Sequence, residues 1–361
     1  MRAAVMRNKK LVVDDIATPA PGPGEALVKT LACGICGSDL HALKHAEKLV
    51  EGARRSGGPF VMDLKRDIVM GHEFCAEVID YGPQTQRHFK PGARVCAMPV
   101  LIRASGVETV GYSNEHPGGY GEFMRLTEKL LLEVPNGLPT ERAALTEPLA
   151  VGYHAVAKAR MEKDDAPLVI GCGPVGLAVI AALKLRGVHP IVAADFSPRR
   201  RALAQQMGAD VVVDPKEKSP YQSWRELAAY KDPAQAPQLP PWMPGPALRP
   251  AVIFECVGVP GVIETIMAAA PAHARMVVVG VCMERDHIEP LFGINKELNL
   301  QFVLGYTGEE FAATLRNLAE GTVNGDPLVT GKVGVEGVAQ AFEDLASPER
   351  HAKILVEPWR S

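Results

Sequence analysis

The chain has 361 residues, 47% hydrophobic and 22% charged, with a formal net charge of −3. This length exceeds one ordinary core and fits two domains, and the composition excludes a disordered or fibrous chain. Nearly balanced charge gives no drive toward nucleic acid or an anionic membrane, and no run of about 18 uncharged apolar residues could span a bilayer.

The first residues carry no signal-peptide pattern, and the seven scattered cysteines, an odd number, read as reduced thiols rather than a disulfide framework. The expectation is a cytoplasmic protein without nucleic-acid or membrane partners. Residues 1–150 are rich in Gly and Pro, with short apolar runs at 26–31, 76–79 and 93–98, the pattern of a mainly β domain. From Pro167 the texture alternates: PLVIG, a helical run at 176–186, PIVAAD, a helical run at 199–207, then DVVVD.

The prolines of YKDPAQAPQLPPWMPGPALRP, residues 230–250, forbid a regular helix or central strand, so an ordered surface excursion is expected there. AVIFECVG, a helix near 262–270 and RMVVVGV then resume the alternation. Continuous β-branched runs separated by helices are the pattern of a parallel sheet covered on both faces. Residues 151–302 therefore predict a second, α/β domain. A helix at 311–320 and a KILVEP strand follow and are expected to return to the first domain, completing it with residues 303–361.

Gly171, Cys172, Gly173, Pro174, Val175 and Gly176 form GxGxxG directly after the strand-like Leu168-Val169-Ile170 and directly before a helical run. In that context the glycines permit a tight turn, close approach of backbone to a pyrophosphate and close packing of helix on strand, while the helix N-terminus offers free N–H groups. The next strand ends in Asp195, at the distance of about 20 residues where a carboxylate accepts from the adenosine ribose hydroxyls. Together these predict a Rossmann doubly wound sheet that binds NAD. The acid argues against a 2′-phosphate, whereas Arg199, Arg200 and Arg201 could attract one or simply face solvent.

Potential metal ligands cluster in CGICGSDLH, residues 33–41, and recur in Gly71-His72-Glu73 and Thr146-Glu147-Pro148. A catalytic zinc needs three protein ligands and an open position, and Cys36, His72 and a glutamate supply such a set. The lone CxxC could instead be a thiol redox pair or half of a structural zinc site, but no second CxxC exists. His72 by itself would read as a core histidine. His41 and His45, four apart, could share a helix face as a second site, or serve as a relay group and a surface residue.

The segments CGICGSDLH, GHEF, EPLAVGYHA, GCGPVG, ECVG, VVVGV and KILVEP occur in the order of the zinc-dependent medium-chain dehydrogenases. The chain resembles that family over essentially its full length, most closely the sorbitol, butanediol and threonine dehydrogenase branch. The resemblance implies a GroES-like catalytic domain beside the Rossmann domain. It implies one catalytic zinc held by Cys36, His72 and a glutamate, with Glu147 where alcohol dehydrogenases of the family carry cysteine. Glu73 in relatives binds the metal or lies just behind it.

The resemblance further implies a proton relay from Ser38 toward His41. Arg200 would approach the adenosine ribose, Val279 and Val281 the nicotinamide, and Lys353 the pyrophosphate, with Val257 also at the cofactor; Val279 and Val281 could equally serve only sheet packing. Ser38 could equally be a turn hydroxyl bonding its own backbone. Many relatives carry four cysteines in a lobe for a structural zinc, but residues 96–123 keep only Cys96, so no structural zinc is expected. Cys33 and Cys75 are expected to pack.

The expected reaction is hydride transfer between a secondary alcohol, diol or polyol and NAD, with zinc acting as Lewis acid. Residues 42–71 are longer than in typical relatives and could roof the substrate cleft. A homodimer or homotetramer is implied, with the strand near residues 300–305 as a subunit edge. Two rivals stand beside this reading: a zinc-free quinone or enoyl reductase of the same architecture, and a nucleotide-binding protein without turnover.

Overall fold

The computed structural model of the chain describes every residue except 136, 233, 235, 237–245 and 361. It divides into two compact units, one of Met1–Ala150 with Thr307–Ser361 and one of Val151–Tyr306.

The first unit opens with a hairpin, β1 (Arg2–Arg7) against β2 (Lys10–Asp15), followed by β3 (Glu25–Gly34) and the long helix α1 (Gly37–Ser56). Next come β4 (Glu73–Tyr81), β5 (Arg94–Cys96), a second hairpin of β6 (Val100–Arg103) and β7 (Gly106–Thr109), β8 (Phe123–Thr127) and β9 (Leu132–Glu133). Helices α2 (Thr140–Ala143) and α3 (Thr146–Lys158) lead to the boundary with the second unit, which falls within α3.

The second unit alternates strand and helix: β10 (Ala166–Ile170), α4 (Pro174–Leu185), β11 (Val192–Ala194), α5 (Pro198–Met207), β12 (Val211–Val213) and α6 (Pro220–Ala228). It continues with β13 (Ala251–Glu255), α7 (Val262–Ala269), β14 (Arg275–Val278), α8 (Pro290–Lys296) and β15 (Asn299–Phe302). The six strands are all parallel and run β12-β11-β10-β13-β14-β15, the doubly wound order that expectation required. The order reverses between β10 and β13, so the crevice beyond their carboxyl ends is the ligand position of this topology.

The sheet forms because its strands are apolar on both faces: all five residues of β13 are buried, and Leu168, Ile253 and Met276 share one core with Trp224. Burying one such side chain contributes roughly 1.5–3 kcal/mol. Helix α6 was not expected from the sequence. Its start carries the usual signals, Ser219 accepting from Gln222 N–H and Pro220 at the first helical position, and Trp224 fastens it by donating Nε1–H to Ala166 O at 2.9 Å. The excursion expected over residues 230–250 lies largely outside the described residues. Its two ends meet, with Arg249 N–H donating to Ala228 O at 2.8 Å.

The chain then returns to the first unit through α9 (Gly308–Ala319), β16 (Val329–Val333), α10 (Val338–Leu345) and β17 (Lys353–Val356). Its main sheet runs β16-β17-β3-β4-β5-β9, with β8 also paired to β3. Strand β3 is therefore central, and its Gly34 end adjoins two of the three segments that carry expected metal ligands, those of Cys36 and of His72-Glu73. No helix among the described residues is long and apolar enough to cross a membrane.

Candidate metal and dinucleotide sites

In the first unit, the antiparallel register sets Gly34 of β3 opposite Glu73 of β4. Cys36 follows two residues after Gly34 as the N-cap of α1, and its N–H donates at 3.1 Å to Asp39, which closes the first turn. His72 immediately precedes β4. Pairing of the two strands thus collects a thiol, an imidazole and a carboxylate from segments some 35 positions apart: donor atoms of Cys36, His72 and Glu73 lie within 4.8 Å of one another. A side chain at Gly34 would put its Cβ 2.0 Å from Glu73 Oε2, so only glycine leaves the carboxylate its place.

Asp39 is fully buried behind these groups. It accepts Tyr112 O–H at 2.7 Å and Tyr120 O–H at 2.6 Å, and its Oδ1 stands 3.4 Å from His72 Nδ1. Nδ1 is buried without a hydrogen-bond partner, and its orientation toward Asp39 leaves the other ring nitrogen for a ligand. Burial and the nearby Glu73 charge push the Cys36 thiol above its usual range. Burial disfavours the His72 cation, yet Asp39 outweighs it and holds the imidazole well above its ordinary value. Soft sulfur, imidazole and carboxylate at one partly buried point fit zinc, which would displace these protons.

Ser38 Oγ lies 3.0 Å from Tyr112 Oη, and His41 sits half-buried one turn further along α1, which is kinked at His45. Glu147, 8% exposed in the first turn of α3, falls outside the three-residue donor group but is near enough to act electrostatically on Lys353.

In the second unit the loop from β10 to α4 carries Gly171 at φ +91°, with Gly173 as N-cap and Pro174 as the first helical residue. A Cβ on Gly176 would stand 1.9 Å from Gly171 O, so helix and loop pack with no side chain between them. Val175 lies in the same first turn. Asp195, just after β11, accepts Cys172 N–H and Ser197 N–H, each at 2.8 Å, and so ties the glycine loop to the next strand end. Arg200 lies beside Gly173, its Nη1 4.0 Å from Asp195 and its Nε buried without a partner. Arg201 is held by Asp214 at 3.0 Å and by two backbone carbonyls.

Two family models match the chain, one described as an alcohol dehydrogenase GroES-like domain over residues 22–136 and one as a zinc-binding dehydrogenase over residues 174–320. The chain is 31% identical over 99% of its length to all of the (R,R)-butanediol dehydrogenase of Bacillus subtilis. It is 29% identical, over 95% of the chain and 94% of the relative, to the sorbitol dehydrogenase of Bos taurus. The crystal structure of 2R,3R-butanediol dehydrogenase from Bacillus subtilis covers 99% of both chains with a TM-score of 0.78 at 29% identity. The chain belongs to the zinc-dependent medium-chain dehydrogenase family.

In this family member two of the residues expected at the cofactor make packing or ionic contacts within their own units. Lys353, expected beside the pyrophosphate, is 0% exposed within the first unit, where its ammonium donates to Glu73 Oε2 at 2.5 Å and to Ile35 O at 3.2 Å. The reason is topological: β17 lies next to β3, and the buried Glu73 carboxylate needs a counter-charge. Burial works against the Lys353 cation, but Glu73 raises it above the ordinary lysine value. Val279 is 5% exposed and packs within the sheet, whereas Val281 at 46% and Val257 at 39% stand exposed past the ends of β14 and β13.

Sequence reasoning did not single out Glu255. Its buried carboxylate accepts Val257 N–H at 2.7 Å and Gly258 N–H at 2.9 Å, and its carbonyl accepts Gly280 N–H at 3.0 Å, so one residue ties the loops after β13 and β14 together. Tyr112 and Tyr120 were also missed, because nothing local marks them as neighbours of Asp39. The lobe without its cysteines is joined by polar side chains. His116 bonds Glu108 and, through Nδ1, Arg125 at 2.9 Å; since arginine only donates, Nδ1 must accept and Nε2–H must face Glu108. Arg103 reaches Glu25 of β3 at 2.7 Å.

Proposed function

We propose that the chain holds one catalytic zinc and no structural zinc, binds NAD, and oxidises a secondary hydroxyl of a vicinal diol or polyol, or reduces the matching ketone. The observation that carries this reading is the convergence of Cys36, His72 and Glu73 on one partly buried point, with Asp39 behind the imidazole. When bound, zinc would acidify the substrate alcohol and NAD would accept the hydride.

The protein's own groups would do the rest. Cys36, His72 and Glu73 would hold the ion, and Lys353 would fix the Glu73 carboxylate while Glu147 adds negative charge nearby. Ser38 would take the substrate proton and pass it toward His41. In the other unit Gly171, Gly173, Pro174, Val175 and Gly176 would cradle the pyrophosphate. Asp195 would accept the adenosine ribose hydroxyls with Arg200 beside it, and Val257 and Val281 would meet the nicotinamide. A carboxylate at Asp195 favours NAD over NADP, since it would repel a 2′-phosphate. The diol or polyol class is supported by the names of the butanediol and sorbitol dehydrogenases this chain resembles.

A homo-oligomer built on the free edge of β15 is supported by Phe302 and Leu304, 63% and 71% exposed beside that edge. The free cysteines suit a reducing, cytoplasmic setting. The reading is tested by measuring metal content and assaying (2R,3R)-butanediol, sorbitol and simple secondary alcohols with NAD and NADP. One zinc per chain and NAD-dependent oxidation are expected. Full activity of the metal-free protein would overturn the reading in favour of a zinc-free reductase. A Glu73→Gln variant is expected to lose zinc while Glu147→Gln keeps it; the reverse pattern would exchange their roles.

A further inference from the structure

We propose that Tyr112 is a positioning residue that makes the Ser38 hydroxyl a hydrogen-bond acceptor toward the substrate alcohol. The argument is an account of hydrogens in the buried cluster around Asp39. Four groups surround that carboxylate: Tyr112 O–H at 2.7 Å, Tyr120 O–H at 2.6 Å, Cys36 N–H at 3.1 Å and His72 Nδ1 at 3.4 Å. The backbone N–H can only donate, and an ionised carboxylate only accepts, so the single hydroxyl hydrogen of Tyr112 is spent on Asp39.

The 3.0 Å contact between Tyr112 and Ser38 then has one possible direction: Ser38 donates and Tyr112 Oη accepts. With its hydrogen directed at Tyr112, Ser38 offers lone pairs elsewhere. It can take a hydrogen bond from an alcohol, and the proton it then receives passes on toward His41, so that Ser38 keeps one hydrogen, still directed at Tyr112, and no competing Ser38 hydrogen points at the substrate oxygen. A serine free to rotate would spend part of its time donating to that oxygen, the orientation that cannot remove a proton.

The ring that carries this hydroxyl is fixed on both sides. Phe60 meets it edge-on with centroids 5.3 Å apart, and the His72 ring lies 5.4 Å away. Its loop is fastened to the segment between α1 and β4, where Asn114 accepts Asp63 N–H at 2.8 Å and donates to Asp63 O at 3.0 Å, and Arg66 reaches Glu115 at 2.6 Å. The long segment expected to roof the substrate cleft therefore also holds the tyrosine that orients Ser38.

The functional part of this proposal rests on the alcohol-dehydrogenase reading, and the test separates the two. A neutron structure of the deuterium-exchanged wild-type protein should show deuterium on Ser38 Oγ directed at Tyr112 and the Tyr112 deuteron directed at Asp39. The opposite chain, with the Tyr112 deuteron toward Ser38, overturns the proposal, and neither result depends on turnover or on a variant that folds. In steady-state assays with (2R,3R)-butanediol and NAD, Tyr112→Phe should lower kcat about tenfold, the loss of one well-placed hydrogen bond, with KM changed less than about twofold. In a Ser38→Ala background the same substitution should have no further effect, and zinc affinity by chelator competition should stay within about twofold of wild type. Equal kcat losses in both backgrounds would refute action through Ser38. If the wild-type protein oxidises no alcohol, the functional reading fails while the neutron map still decides the hydrogen-bond direction.

Discussion

Replacing Lys353 with methionine tests whether the metal and the buried lysine balance the same carboxylate. Lys353 and Glu73 are 0% and 1% exposed, so bulk solvent screens neither charge. Methionine keeps most of the side-chain volume, so the change removes a charge rather than opening a cavity. Removing one partner of a buried ion pair leaves the other uncompensated, which costs about 3–5 kcal/mol. In the zinc-free protein that whole cost should appear as lost stability of the first unit. With zinc bound to Glu73 the ion takes over part of the counter-charge, so the loss should shrink to roughly half or less, and by linkage zinc should bind the variant more tightly than wild type. Hydrogen exchange at β3 and β17, with and without added zinc, reads this unit separately from the other. A loss below about 1 kcal/mol in the zinc-free protein, or equal losses in both states, would refute the reasoning.

Three further outcomes follow from the same geometry. Burial and Glu73 raise Cys36, and Asp39 raises His72 against burial, so both groups hold their protons more tightly than usual without metal. Zinc must displace those protons, so its affinity should rise with pH through and above the ordinary imidazole and thiol ranges, as chelator competition at several pH values would show; a flat profile contradicts this. Asp195→Ala removes the acceptor for two backbone N–H groups and the expected ribose partner, so NADH should bind at least about tenfold more weakly by fluorescence titration, with a smaller loss for NADPH. Phe302→Glu on the exposed edge of the parallel sheet should shift the protein toward monomer in light scattering, and an unchanged mass would place the subunit contact elsewhere.

What the sequence makes legible is what its neighbours determine. The apolar strands, the glycine turn and Asp195 lie within one contiguous stretch, and each signals a backbone requirement that periodicity or residue type reveals directly. The cluster of Cys36, His72 and Glu73 donor atoms was legible as a set because these residues are chemically distinctive. Choosing between Glu73 and Glu147 needs the β3–β4 register, which no local pattern specifies. The Lys353–Glu73 ion pair was not legible for a related reason: the two residues lie 280 positions apart, and only the return of β17 to the first sheet brings them together. Tyr112, Tyr120 and Glu255 act through buried hydrogen bonds, and a tyrosine in a loop or a glutamate at a strand end carries no mark of what will surround it. Helix α6 had readable signals in Ser219 and Pro220, but the proline-rich residues that follow obscured them.

The most direct test of the central claim is X-ray absorption at the zinc edge on purified protein, combined with metal content per chain. The arrangement of Cys36, His72 and Glu73 predicts one zinc with a single sulfur neighbour at about 2.3 Å and the remaining ligands nitrogen and oxygen. A shell of several sulfurs, or a protein that retains no zinc yet oxidises alcohols fully, would contradict it.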